Sequence, residues 1–169
     1  MSISIYDVTI PVLTAALTNL SALLDKGAAH AERKKFDSKA LADSRLIADM
    51  MPLTKQVQIA CDNAKGAAAR LAGVEAPKHE DNETTLPELK ARIAKTLDYV
   101  QSITPEQLRD AETREITVTF PGLTLKFTGH TYVTTFVIPN FFFHLTMAYA
   151  LLRQNGVEIG KGDFLGKIQ

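Results

Sequence analysis

The stretch PLTKQVQIACDNAKGAAARLAG, residues 52–73, decides the class of fold that the chain adopts. Its apolar residues recur at alternating steps of four and three, which is the period of a helix that buries one face; they are Leu53, Val57, Ala60, Ala64, Ala67 and Leu71. Most of these side chains are small, so neighbouring helices can approach closely. Gly73 follows, where a left-handed residue commonly ends a helix. The pattern predicts a helix from Pro52 to Leu71 within a helical bundle.

Three further segments show the same helical period. The first helix begins near Ile10, and its apolar stripe continues through Leu13, Leu17, Leu20 and Leu24. The third helix opens with Thr85 and Glu88, whose spacing allows the two residues to cap the first turn reciprocally. The last helix runs from about His130 to Asn155 and is interrupted or kinked at Pro139. With the helix over residues 52–71, these segments predict an all-α fold, a four-helix bundle.

Between the third and fourth helices the period changes to two. Apolar residues alternate with Thr and Lys along residues 116–120 and 123–127, as in half-buried strands. The dipeptide Pro121-Gly122 between them matches a tight turn, because glycine supplies the positive φ. A lone hairpin is marginally stable in water, so we expect one face to pack on the helices. The predicted fold is therefore a four-helix bundle with a small β-hairpin inserted between its third and fourth helices.

The remaining segments are predicted to be connections. Residues 34–44 are polar and link the first two helices, and residues 73–84 form a surface loop. A second capping signal at Thr104 and Gln107 predicts one or two helical turns. The C-terminal tail from Val157 to Gln169 contains three glycines, and we expect an ordered loop that wraps the bundle without adding an element.

Length and charge fit one globular domain over residues 1–169. The chain has 19 basic and 19 acidic side chains, so its formal charge is zero. Nucleic-acid-binding proteins usually carry a concentrated basic face, and we expect no nucleic-acid partner. The N-terminus lacks a basic start, and no segment approaches the roughly 18 apolar residues of a spanning helix. With a single cysteine, Cys61, these features predict a cytoplasmic protein without a membrane partner.

Familiar catalytic and metal-binding spacings are missing from the sequence. The histidines are scattered along the chain, and none has a second histidine one helical turn away; they are His30, His79, His130 and His144. No nucleophile elbow occurs. The segment GVEIGKG, residues 156–162, lacks the spacer and the hydroxyl residue of a phosphate-binding loop. Motifs alone therefore identify no reaction.

His144 stands out because it lies inside the apolar stripe of the last helix. At about 100° per residue, Leu151 falls about 20° from it and Asn140 about 40°. A buried imidazole needs a hydrogen-bond partner for each ring nitrogen, and Asn140, one turn earlier, is a natural candidate. Gln56 and Asn63 flank the apolar stripe of the second helix and offer a counterpart. We predict a polar pocket formed by His144, Asn140, Gln56 and Asn63.

A purely structural role explains the same four residues, which are then core or interface residues satisfied by one another and by water. Asp62 projects to the opposite side of its helix and is predicted to be a solvated carboxylate, unless another element such as the tail covers it. Cys61 has no obvious cationic neighbour and is interpreted as an inert buried thiol. Tyr149 points away from His144, so we expect it to pack against the tail or a partner.

Three consecutive phenylalanines, Phe141, Phe142 and Phe143, cannot all face one core. At least one ring is expected to reach the hairpin or a second subunit. An exposed aromatic patch favours dimerisation, so we expect a homodimer.

Six runs of sequence carry a family resemblance: DMMPL at 49–53, QVQ at 56–58, CDNAK at 61–65, PNFFFH at 139–144, AYALLRQNGV at 148–157 and GKGDFLG at 160–166. They resemble an uncharacterised bacterial family, a domain of unknown function assigned to the DinB/YfiT-like superfamily of proposed metalloenzymes. The resemblance covers essentially the whole chain.

The resemblance implies a DinB-like four-helix bundle that is often dimeric. Typical superfamily members bind a divalent metal, Zn²⁺ or Ni²⁺, with one histidine from the second helix and a His-x-x-x-His pair from the last. Some members transfer or isomerise groups attached to small thiols. His144 matches the second histidine of the pair and is the implied metal ligand. Asn140 replaces the first histidine, and Gln56 is the best positional substitute for the histidine of the second helix.

Two hypotheses follow from these residues. In the first, the protein is a DinB-like bundle with a degenerate metal site, and its polar pocket around His144 binds a small ligand or the chain serves as a dimeric module. In the second, it is a metal- and thiol-dependent transferase or isomerase. His144 then ligates the metal or acts as a general acid or base, the amides of Asn140 and Gln56 orient water, and a carboxylate such as Asp62 completes the site.

Overall fold

Four long helices form the body of the protein. The computed structural model describes residues 3–167. The long helices are α1 (Ile10–Lys34), α3 (Leu53–Ala72), α4 (Leu86–Gln101) and α6 (Ile138–Gln154). Shorter elements are the helices α2 (Lys39–Ala42), α5 (Gly129–Thr131) and α7 (Lys161–Leu165), a 3₁₀ turn (Glu106–Leu108), and the strands β1 (Glu115–Phe120) and β2 (Leu123–Thr128).

The long helices close into a ring around one core. Helix α3 packs against α4 and α6, and α1 contacts the same two helices from the other side. Every residue of the predicted α3 stripe is completely buried, and small side chains along it allow this close approach. The predicted four-helix bundle is therefore confirmed.

The helix ends follow the predicted signals. Glu88 accepts the backbone N–H of Thr85 at 2.9 Å, and Thr85 accepts the N–H of Glu88 at 3.4 Å, which completes the capping box at the start of α4. Gly73 ends α3 with a φ of 71°, a left-handed conformation that favours glycine. Both boundaries are set by residues within one turn of the helix end.

The predicted hairpin is also present. Strand β1 pairs antiparallel with β2, with Phe120 opposite Leu123, and Gly122 in the turn has a φ of 76°. Ile116 and Val118 are buried, so one face of β1 packs on the bundle as expected.

The last helix is interrupted just before Pro139. Residues Tyr132–Val137 form a π-helical segment that joins α5 to α6, and Pro139 lies in the first turn of α6. Proline has no backbone N–H to donate, so a local change in hydrogen bonding before it is expected. π-helical segments of this kind are frequent at functional sites.

One prediction about the connections is wrong, and a second is incomplete. The tail adds a helix, α7, which packs against α1; Asp163 in its first turn accepts the N–H of Gly160 at 2.8 Å and pairs with Lys26. The segment 34–44 contains α2, where Leu41 and Ala42 are buried. Helices of four or five residues are too short to display an apolar period, which is why the sequence pattern does not reveal them.

One continuous helical stretch, Gly129–Gln154, is long and apolar enough to cross a membrane, with a mean hydropathy of 1.4. Judged by length and hydropathy, the prediction that no segment approaches a membrane-spanning helix is wrong. The stretch is also a member of the bundle, packed on α3 and α1, and core helices have the same composition. Within this stretch Phe143 is an exposed large apolar side chain, at 53%.

Gly129 provides a test of the packing between α5 and the turn before β1. A Cβ on Gly129 would overlap the carbonyl oxygen of Ala111, and the next residue, His130, donates its N–H to Glu112 at 2.9 Å. We expect Gly129→Ala to lower the free energy of unfolding by about 1–3 kcal/mol or more, because backbone must move. The control Gly162→Ala, in the first turn of α7 with open space around it, should be neutral or slightly stabilising in the same urea titration. Equal stability of both variants would contradict this packing.

Candidate functional site

His144 and Gln56 form a hydrogen bond across the interface between α6 and α3. The distance between Nδ1 of His144 and Oε1 of Gln56 is 2.7 Å. Gln56 is 2% exposed and His144 is half-buried. Because the side chains come from facing helices, this bond links the second and fourth members of the bundle.

The hydrogen bonds of Gln56 determine the tautomer of His144. Nε2 of Gln56 donates to the carbonyl oxygen of Met51 at 3.1 Å. A carbonyl only accepts, so the amide nitrogen must face Met51 and the amide oxygen must face His144. The oxygen also only accepts, so Nδ1 of His144 carries the proton and donates it to Gln56. In the neutral ring, Nε2 is then the nitrogen with the free lone pair.

His144 favours its neutral form. Burial lowers the pKa of its imidazole below the ordinary value, because desolvation penalises the charged ring. Nε2 has no hydrogen-bond partner among residues 3–167 and is not sealed from solvent. The ring can therefore accept a proton or a hydrogen bond from a bound molecule.

Asn140 and Asn63 lie farther along the same pair of helices and line a cleft. The cleft has a volume of about 180 Å³ and opens between α3, the hairpin and the π-helical segment. Its apolar walls come from Ile59, Val118, Phe120 and Phe136. Oδ1 of Asn63 is buried without a hydrogen-bond partner. Neither His144 nor Gln56 is among the residues that line this cleft.

The structure thus groups the four predicted residues in two pairs. His144 bonds to Gln56 and not to Asn140, although Asn140 lies one turn away on the same helix. A ligand pocket that uses all four residues stays a prediction.

The sequence analysis missed two residues of the cleft, Arg70 and Tyr132. Nη1 of Arg70 donates to the hydroxyl of Tyr132 at 3.1 Å. One signal was present in the sequence, since Arg70 has no acidic residue three or four positions away on its helix. Tyr132 gave no signal, because its partner is 62 residues away.

Asp62 does not reach His144. Its Oδ1 lies 2.9 Å from Nη2 of Arg92 on α4 and 2.8 Å from Nζ of Lys65, and its side chain is 42% exposed. The carboxylate is therefore paired rather than only solvated, and α4 rather than the tail faces it. The proposed role of Asp62 in a site with His144 finds no support in this arrangement.

The other residues singled out by sequence have packing roles. Cys61 is buried, and desolvation raises the pKa of its thiol to about 12, which agrees with an inert thiol. Tyr149 packs edge-on against Phe164 of α7, as expected for a contact with the tail. Phe141 is buried, whereas Phe143 is 53% exposed and packs edge-on against the ring of His144.

A divalent metal does not fit the donor set at His144. Nδ1 of His144 and Oε1 of Gln56 are hydrogen-bonded to each other, so no ion can lie between them. An ion at Nε2, on the far side of the ring, would lie beyond the reach of that amide. Among residues 3–167, no cluster of three or more His, Cys, Asp or Glu side chains is placed to hold an ion. One imidazole with neutral amides is a poor site for Zn²⁺ or Ni²⁺.

Comparisons with known proteins agree with the fold. A family described as "Domain of unknown function (DUF1993)" matches residues 5–165. A solved crystal structure of a DinB family member protein from Shewanella denitrificans has a TM-score of 0.90 and 46% sequence identity, covering 96% of this chain and 92% of the other. The search of curated proteins gave no match.

A double-mutant cycle tests the bond between Gln56 and His144. Either Gln56→Leu or His144→Leu leaves a polar partner unsatisfied, which should cost about 1–3 kcal/mol of unfolding free energy at pH 7.5. The double variant should cost less than the sum, since no orphaned side chain remains at the interface. Asn140→Leu serves as the control and should show no coupling to His144→Leu. Coupling to Asn140 instead of Gln56 would contradict the observed geometry.

Proposed function

This chain belongs to the DUF1993 family and is a DinB-like protein, and from the site we propose that it binds a small molecule without a resident metal. The proposed binding place is the cleft between α3, β1 and the π-helical segment. The observation that carries the proposal is the combination of apolar walls with the polar side chains of Asn63, Arg70 and Asn140 in one cleft. Ligand sites in proteins have this composition.

The size of the cleft limits the ligand. Drug-sized pockets have volumes of roughly 300–1,000 Å³, and this cleft is smaller. We therefore expect a metabolite of modest size rather than a nucleotide or a peptide.

A second candidate function is a thiol-dependent transferase or isomerase of the DinB/YfiT-like type. The observation that favours it is the free Nε2 lone pair of a neutral His144, which suits a general base for a thiol or a hydroxyl. Because the donor set does not fit a metal, this version assigns acid–base chemistry to the imidazole alone.

We also propose that the protein forms a homodimer through the exposed side of the last helix. Phe143 and Met51 are half exposed near the bond between His144 and Gln56. A second copy that covers these side chains would remove apolar surface from water.

A titration with phenylacetamide, a small neutral aromatic probe, tests the proposed function. We expect the probe to shift the side-chain amide NMR signals of Asn63 and Asn140, equally in protein treated with a chelator and in protein given one equivalent of Zn²⁺. Ile59→Trp should abolish the shifts because the larger ring fills the cleft. Val74→Trp, an equally bulky change outside the cleft, should leave them unchanged.

Three results count against the proposals. Binding that requires added Zn²⁺ would favour a metal site. Absence of shifts in both samples would remove the proposed ligand site. Light scattering on the same samples should give the mass of two chains, and a single-chain mass would contradict the homodimer.

A further inference from the structure

Arg70 is a cation in the cleft without an anionic partner. Among residues 3–167 no carboxylate lies within ion-pair distance of it, and its one hydrogen bond is to the hydroxyl of Tyr132. Arg70 is exposed, and its hydrogen bond to Tyr132 places the guanidinium at one edge of the cleft. An arginine positioned in this way is suited to bind an anion.

Gly66 makes room for the guanidinium group. A Cβ at Gly66 would lie 2.5 Å from Nη1 of Arg70, so the side chain of Arg70 folds back along α3 over the turn that precedes it. This direction carries the charge toward Asn63, which lies seven residues, about two turns, before Arg70 on the same face of α3. Arg70 and Asn63 therefore lie on the same face of α3 and line the same cleft.

The neighbouring groups do not cancel the charge of Arg70. Tyr132 stays neutral, because burial raises the pKa of its hydroxyl above the ordinary value. Asp62 also lines the cleft, but it is already compensated by Arg92 and Lys65 at 2.9 and 2.8 Å. The remaining lining residues carry no charge, so Arg70 supplies the positive charge that a ligand in the cleft can contact.

One wall of the cleft is aromatic. Tyr132 and Phe136 stack with ring centroids 5.7 Å apart and an angle of 14° between their planes. Phe120 packs at 6.2 Å from Phe136 and leaves part of its own ring exposed at the cleft. Flat apolar groups bind well against such surfaces.

We propose that the cleft binds small carboxylic acids with a flat apolar body, with Arg70 as the carboxylate-binding residue and Asn63 and Asn140 as neutral hydrogen-bonding groups. The guanidinium has a planar fork of N–H donors that matches the two oxygens of a carboxylate. Nε and Nη2 of Arg70 have no hydrogen-bond partner among the described residues and remain available for the ligand. This inference rests on the proposed function, since it requires that the cleft is a ligand site.

The test compares two probes of nearly the same shape, phenylacetate and phenylacetamide, which differ in charge. We expect the wild-type protein to bind phenylacetate about tenfold more tightly than phenylacetamide, the effect of one charge-assisted contact. Arg70→Met should remove this preference and leave the affinity for phenylacetamide unchanged, which also shows that the variant is folded. Arg70→Lys should keep part of the preference. Arg109→Met, at an exposed arginine far from the cleft residues, controls for the change in net charge.

The outcomes separate the two proposals. If both probes bind equally and Arg70→Met changes neither affinity, the ligand site stands and the carboxylate assignment is overturned. If neither probe binds the wild-type protein, the proposed function itself fails. The assignment would also be overturned if Arg109→Met lost as much affinity for phenylacetate as Arg70→Met. The effect would then come from the overall charge of the protein.

Discussion

Two consecutive hydrogen bonds constrain the rest of the site. His144 donates to Gln56, and Gln56 donates to the carbonyl of Met51. The backbone carbonyl can only accept, so it orients the amide, and the amide in turn assigns the proton of the imidazole to Nδ1. The same bond ties α6 to α3 and occupies the space between the two side chains. A metal is excluded from that space, and the free lone pair is directed to the opposite side of the ring. The polar side chains at this interface therefore orient one another.

The stretch of chain around Pro139 leads from the cleft to the bond between His144 and Gln56. Tyr132 and Phe136 belong to the π-helical segment, and Asn140 follows in the first turn of α6, so one short stretch supplies aromatic and polar groups to the same wall. Strand β1 closes the other side with Val118 and Phe120. The hairpin, which looks like a marginal insertion in the sequence, is thus a wall of the proposed ligand site and is stabilised by packing on the bundle.

Local signals explain what could be predicted from the sequence. The α3 stripe, the capping box at Thr85 and the turn at Gly122 each depend on residues a few positions apart, and the structure confirms all three. The partner of His144 was ambiguous, because helical spacing favours Asn140 while the observed bond crosses to Gln56 on another helix. The ion pair of Asp62 with Arg92 and the contact of Arg70 with Tyr132 join separate elements, and no pattern along the chain encodes them.

The tautomer of His144 is the most direct test of this account. Long-range proton–nitrogen NMR correlation spectra of ¹⁵N-labelled protein at pH 7.5 distinguish a protonated ring nitrogen from one that carries a lone pair. The account predicts a neutral imidazole with the proton on Nδ1 and the lone pair on Nε2, and a rapidly exchanging mixture after Gln56→Leu. A neutral ring with its proton on Nε2 would contradict the orientation of Gln56, and a charged ring at this pH would contradict the lowered pKa of the buried imidazole.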